Sequence, residues 1–254
     1  MTLTEMEPGI LLPAFVAGLL VLATHVPLGL RVLARGIVFI DLAIAQVAAL
    51  GVIAAGILGG EAHGLAVQAA ALGASLAGAV LLAWTEKRWP RQQEALIGTL
   101  FVLAASGATL LLANHPQGGE HLRDLLVGQI LWVSQAQLGA MAAVTALVGV
   151  LWFVTRRAQN AAAFYLLFAL SVTASVQLVG VYLVFASLIV PALAVQGLTR
   201  RAPLWGWVLG AAGYAAGLIL ASVADWPAGP TVVWALAVLA ATFAALFSRP
   251  APPA

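Results

Sequence analysis

Residues 160–198 read "NAAAFYLLFALSVTASVQLVGVYLVFASLIVPALAVQGL", 39 residues without a single charge. As one straight helix this run would be about 58 Å long, roughly twice the thickness of a bilayer's hydrocarbon core. It therefore has to turn back on itself, and Gly180, near its middle, is the natural place. The charges outside the run agree. Arg156 and Arg157 stand before it and Arg200 and Arg201 after it. Two crossings joined near Gly180 put both basic pairs on one side of a membrane. Read as a single crossing, the same run would leave eight spans in the chain instead of nine.

Working outward, apolar runs lie at about 9–31, 36–59, 64–85, 93–113, 135–155, 160–178, 180–198, 204–223 and 229–247. Arg31 and Arg35 follow the first span, and Lys87, Arg88 and Arg91 follow the third. Arg156 and Arg157 follow the fifth, Arg200 and Arg201 the seventh, and Arg249 the ninth. Cytoplasmic loops carry the excess of Lys and Arg. With the N-terminus outside and the C-terminus inside, ten of the eleven basic residues fall on the inner side, Arg123 being the exception. An even number of spans breaks that alternation. The expected fold is all-α: a polytopic membrane protein of about nine helices, N-out and C-in, with residues 1–254 forming one transmembrane domain.

Composition gives the same class. The chain is 63% hydrophobic and 8% charged, against roughly 25% charged in soluble domains. It has no cysteine, which excludes disulfides and thiolate metal sites. A net charge of +2 does not suggest nucleic-acid binding. The opening "MTLTEMEPG" lacks the positive n-region of a cleaved signal peptide, so the first run is expected to stay as a helix.

Small residues recur in the spans, as in Gly206-x-x-x-Gly210 and Gly213-x-x-x-Gly217. They serve close helix packing within the chain or a seam between two copies. Pro27 and Pro191 are expected to kink or break their helices. The segment "LRDLLVGQILWVS", residues 122–134, is apolar but too short to span. It reads as an interfacial or re-entrant helix with Trp132 at headgroup level.

The only lysine is Lys87, in "TEKRWPR", so no phosphate-binding G-x-x-x-x-G-K-[ST] loop exists. H-E-x-x-H and G-x-S-x-G are absent as well. The chain is not expected to be an enzyme or to hydrolyse ATP itself, and transport fits it better.

Four stretches carry a resemblance. They are "HVPLGLRVLARGIVFIDLAIAQVAALG" (25–51), "EALIGTLFVLAASGATLLLA" (94–113), "LRDLLVGQILWVS" (122–134) and "VTASVQLVGVYLVFASLIVPALAVQGLTRR" (172–201). In this order they resemble the permease subunits of bacterial ABC importers for zinc and manganese. The resemblance implies a homodimer in the bacterial inner membrane. It also implies a separate ATPase subunit that consumes the ATP and an extracytoplasmic solute-binding protein that delivers a divalent metal. No cofactor is expected on this chain. The sequence departs from the family in two places. The family's Gly-Asp-x-x-x-His on the second span has no histidine here: Gln46 or Ala45 stands in its place, according to the alignment chosen. The cytoplasmic segment between spans five and six, which docks the ATPase in the family, is cut to "TRRAQNAAAF". Docking is then expected at Arg156, Arg157, Arg200 and Arg201, or around "TEKRWPRQQ".

Within the spans the polar residues are few. Asp41 interrupts "GIVFIDLAIAQVAALG". It either pairs with Arg31 or Arg35 at the inner interface, lines a wet path that attracts a cation, or hydrogen-bonds between helices. Asp41 and Gln46 lie about 140° apart around a helix, so both line one path only if two copies set their second helices side by side. His25 is either a hydrogen-bonded structural residue or the imidazole absent at position 46, provided the first two helices pack together. Asp41, His25 and Gln46 are thus the candidate metal path. His115, Glu120, His121 and Asp124 form a candidate outer mouth, and Gln129 stands where the family has an acid. A self-contained proton-coupled transporter is the alternative. It needs intramembrane carboxylates, and Asp41 alone is available. A membrane scaffold is the non-transport reading.

Overall fold

The computed structural model describes residues 8–57, 64–112, 126–155, 161–198 and 201–247. Among them are nine α-helices and no strand. They are α1 Pro8–Arg35, α2 Ile40–Ile57, α3 Leu65–Arg88, α4 Gln93–Leu112, α5 Gln135–Thr155, α6 Ala161–Val179, α7 Val181–Val195, α8 Ala202–Ala224 and α9 Ala228–Phe247. Short 3₁₀ turns lie at Pro90–Gln92 and Ile130–Trp132. Eight helices are long and apolar enough to cross a membrane, and α7, with 15 residues, is shorter. The nine runs expected from sequence all appear as helices.

The break at Gly180 is a single residue with φ +81°. Here the chain leaves α6 and enters α7 at once, because only glycine reaches that backbone region without strain. Neither proline breaks its helix: α1 continues beyond Pro27 to Arg35, and α7 beyond Pro191 to Val195. Membrane helices tolerate proline because neighbours re-satisfy the freed backbone groups.

The helices pack in two groups. α2, α3, α4 and α6 form one, and α1, α7, α8 and α9 the other. α5 leans on α1 and α6 between them. The second group consumes the glycine pairs of α8. A methyl group on Gly206 would meet Val26 and one on Gly210 would meet Leu22, both on α1. On Gly213 and Gly217 it would meet Leu236 and Val232 of α9. These glycines therefore serve packing within the chain, the first of the two readings. Gly73 of α3, by contrast, has open space around it.

The alternation of charges is visible in space. Arg35 at the end of α1 forms an ion pair with Glu86 near the end of α3 (3.3 Å) and lies over the Phe164 ring at the start of α6 (4.4 Å). Arg31 lies over Trp152 near the end of α5, 4.4 Å from its ring centre. Lys87, Arg88 and Arg91 follow at the same end, which is the inner one by the positive-inside rule. At the opposite end Trp132 and Trp226 are exposed, and Trp84, Trp89 and Trp205 are exposed toward the inner end. This is the disposition of interfacial aromatic belts.

A buried polar network closes the inner end. Gln93 Nε2 donates to Leu82 O and to Tyr165 Oη, both at 2.9 Å, and Thr85 Oγ1 donates to Gln93 Oε1 at 3.0 Å. Every hydrogen-bonding position of the Gln93 amide that counts here is used, and the group ties α3, α4 and α6 together. Replacing Gln93 by leucine is expected to lower stability by about 1–3 kcal/mol, since buried partners lose their bonds. Thermal unfolding in detergent, in a double-mutant cycle with Tyr165→Phe, measures the coupling.

Candidate functional site

Asp41 sits in the first turn of α2, where unpaired backbone N–H groups and the helix dipole favour a negative charge. It is only 1% exposed, and its Oδ1 meets no hydrogen-bond donor. Of the three readings, the pairing with Arg31 or Arg35 is not among the ion pairs of the described residues. Arg35 binds Glu86 and lies over Phe164, and Arg31 lies over Trp152. The reason lies in the packing, since α1 and α2 are neighbours in sequence but do not pack along one another. The entry to α2 is fixed by α4 instead, through Glu94 Oε1, which accepts the Phe39 N–H at 3.3 Å.

His25 is fully buried in α1. Its Nδ1 lies 2.9 Å from Val21 O and 3.1 Å from Thr24 Oγ1, and Ser171 Oγ of α6 donates to Thr24 Oγ1 at 2.8 Å. A carbonyl can only accept, so the proton belongs on Nδ1 and the lone pair on Nε2, which has no partner. His25 faces α6 and stands about 15 Å above Arg35 along α1, from the 1.5 Å rise over ten residues. It is not brought beside Gln46. Gln46 itself is 8% exposed within α2. Among the described residues no three His, Cys, Asp or Glu side chains group closely enough to hold a metal.

His115, Glu120, His121 and Asp124, proposed as an outer mouth, lie outside the described residues, as do Arg156, Arg157 and Arg200. Arg201 is exposed at the start of α8, where its carbonyl accepts the Trp205 N–H at 3.1 Å. The outer segment is described from Leu126. It closes with a 3₁₀ turn in which Ile130 is buried and Trp132 exposed. Gly128, at φ +70°, lies against the Val179–Gly180 backbone, and Val127 O lies against Gly229 at the start of α9.

Sequence reading passed over a cavity of about 390 Å³ toward the outer ends of α2, α3, α5 and α6. Gln68, Gln137 and Gln177 line it together with Val52, Met141 and Ala174. The available signal was a glutamine near the outer end of each of three apolar runs. Val52 also lies on the face of α2 that carries Asp41, since residues 41, 45, 48 and 52 follow the helical repeat, about 16 Å from first to last.

The comparisons with known proteins follow this geometry. The model of the ABC 3 transport family matches residues 8–164 and 159–248. No curated protein matches the chain. Among solved structures the chain is similar to PsaBC from Streptococcus pneumoniae in complex with Fab, with TM-score 0.74 and 19% identity, over 98% of this chain and 94% of that one. It is also similar to a structure described as an inward-facing conformation of a metal-chelate type ABC transporter, with TM-score 0.73 and 14% identity, over 97% and 92%. At these identities the likeness concerns the fold.

Proposed function

Because the chain belongs to the ABC 3 transport family, the permeases of metal-type ABC importers, we propose that it moves a divalent metal ion, zinc or manganese, across the bacterial inner membrane. In this reading two copies form the pathway, a separate ATPase subunit supplies the energy, and an extracytoplasmic solute-binding protein delivers the ion. The observation that carries the reading is Asp41, a buried carboxylate with an unpaired oxygen and no cationic partner among the described residues. Such a group is costly inside a membrane domain and is kept where it faces a cation. The likeness to a metal-chelate type ABC transporter supports a metal cargo. The absence of a phosphate-binding lysine motif supports a partner ATPase, Lys87 being the single lysine. A self-contained proton-coupled transporter draws no support from the family.

The test is metal accumulation in cells that lack their own zinc and manganese uptake and carry this permease with its neighbouring ATPase and binding protein. Accumulation of either metal, with the ATPase co-purifying on the tagged permease, is the expected result. Co-purification without uptake of either metal overturns the cargo. A permease that purifies without an ATPase overturns the importer reading as a whole.

A further inference from the structure

The outer cavity has a chemistry of its own. Among the described residues its polar lining consists of three neutral amides. Gln137 Oε1 accepts the Ser134 N–H at 2.8 Å, so Gln137 offers the cavity its NH₂ group. Gln68 and Gln177 make no side-chain hydrogen bond among the described residues, which leaves both donor and acceptor ends free. Polar side chains at membrane depth turn toward the bundle interior or a water-filled space. Three amides from α3, α5 and α6 meeting at one space are therefore solvated there.

Resting on the metal reading above, we propose that this cavity is an outer-sphere site, which holds a divalent metal ion by hydrogen bonds to the ligand shell the ion already carries. Neutral amides are poor direct ligands for zinc, which prefers imidazole, thiolate and carboxylate. They are good partners for bound water or for a small chelator's oxygens, to which they both donate and accept. Volume points the same way. Six waters at about 30 Å³ each occupy roughly 180 Å³, and the cavity of about 390 Å³ takes such an ion whole. A bare ion would touch one wall only. Val52, which lines the cavity, lies on the same face of α2 as Ala48, Ala45 and Asp41, all three buried. The site needs no histidine, so it accommodates the glutamine at position 46.

The test uses the full chain in nanodiscs, with manganese(II) binding followed by electron paramagnetic resonance. The competitor is hexaamminecobalt(III), whose six ammonia ligands do not exchange and which therefore binds only through its shell. Displacement of manganese by this complex is expected. Gln68→Met and Gln177→Met keep side-chain length and lose the amide. Each is expected to weaken both ions about 3–10-fold, the size of one to two hydrogen bonds, while elution and thermal midpoint stay at wild-type values. Asp41→Asn is expected to leave hexaamminecobalt binding unchanged. Comparing manganese–citrate with aqueous manganese assigns the shell: tighter binding of the citrate complex means a chelator, and the reverse means water. Manganese that binds but is not displaced, or variants that bind both ions as the wild type does, overturn the outer-sphere site and leave the metal reading standing. A chain that binds no manganese under any of these conditions likewise overturns the outer-sphere site, while the metal reading is decided by the uptake assay.

Discussion

Asp41→Asn is expected to abolish metal accumulation without lowering the stability of the permease. The two halves of this expectation have separate causes. Asp41 is 1% exposed, and Oδ1 has no donor, so ionising it carries a burial cost that no cation among the described residues repays. An amide of the same shape is cheaper to bury, and the thermal midpoint in detergent should hold or rise. A divalent cation passing at about 4 Å, by contrast, loses about 4 kcal/mol per unit of its charge at an effective dielectric near 20. Even after a large discount for residual hydration, uptake should fall about 100-fold or more. Asp41→Glu, which keeps the charge and moves it by one methylene, should retain part of the activity. The measurement is metal uptake beside permease level and ATPase co-purification for each variant. Wild-type uptake by Asp41→Asn would leave Asp41 as a helix N-terminal acid and nothing more.

The largest structural effect is expected at Gly180. A methyl group there would come within 2.6 Å of Val127 C and 2.8 Å of Gly128 Cα, and the backbone stands at φ +81°. The positive φ alone costs about 1–2 kcal/mol for a residue with a side chain. The contact with backbone atoms adds overpacking that no rotamer can relieve, for a total of about 3 kcal/mol or more. Gly180→Ala and Gly128→Ala should each reduce the yield of monodisperse protein and lower its unfolding temperature by several degrees. Gly73→Ala and Gly139→Ala, with open space at the added methyl, should do neither. If Gly180→Ala matched these controls, the contact between the outer segment and the α6–α7 turn would not be what holds that end together.

The helices themselves were legible because hydrocarbon leaves the backbone few choices. A run of about twenty apolar residues has to be a helix to satisfy its own polar groups. The nine runs and the one-sided arginines needed no tertiary information. α1 extends to Arg35 rather than stopping near residue 31, because Arg31 and Arg35 lay their stems along the helix and rest on the rings of Trp152 and Phe164. The partners were not legible. A helix that is apolar all round gives no amphipathic stripe to show which face meets which neighbour. Arg35 thus looked closest to Asp41, six residues away in sequence, yet it binds Glu86, 51 residues away. His25 was readable either as a hydrogen-bonded structural residue or as an imidazole for a site on α2; it bonds within α1, to Val21 O and Thr24 Oγ1. Sequence reading looked for charge and imidazole at the outer face. The cavity is lined instead by glutamines, and a lone glutamine in an apolar run carries no visible sign of where it points.

The packing of the outer segment has a consequence for biosynthesis. Its supports are made long after it: Gly180 lies 52 residues beyond Gly128, and Gly229 lies 102 beyond Val127. At about 5–20 residues per second these arrive roughly 3–10 s and 5–20 s later. Until α6, α7 and the start of α9 have left the ribosome, the segment has neither the turn it rests on nor the helix end that covers it. The outer segment is therefore completed late, and a chain released before residue 229 cannot complete it.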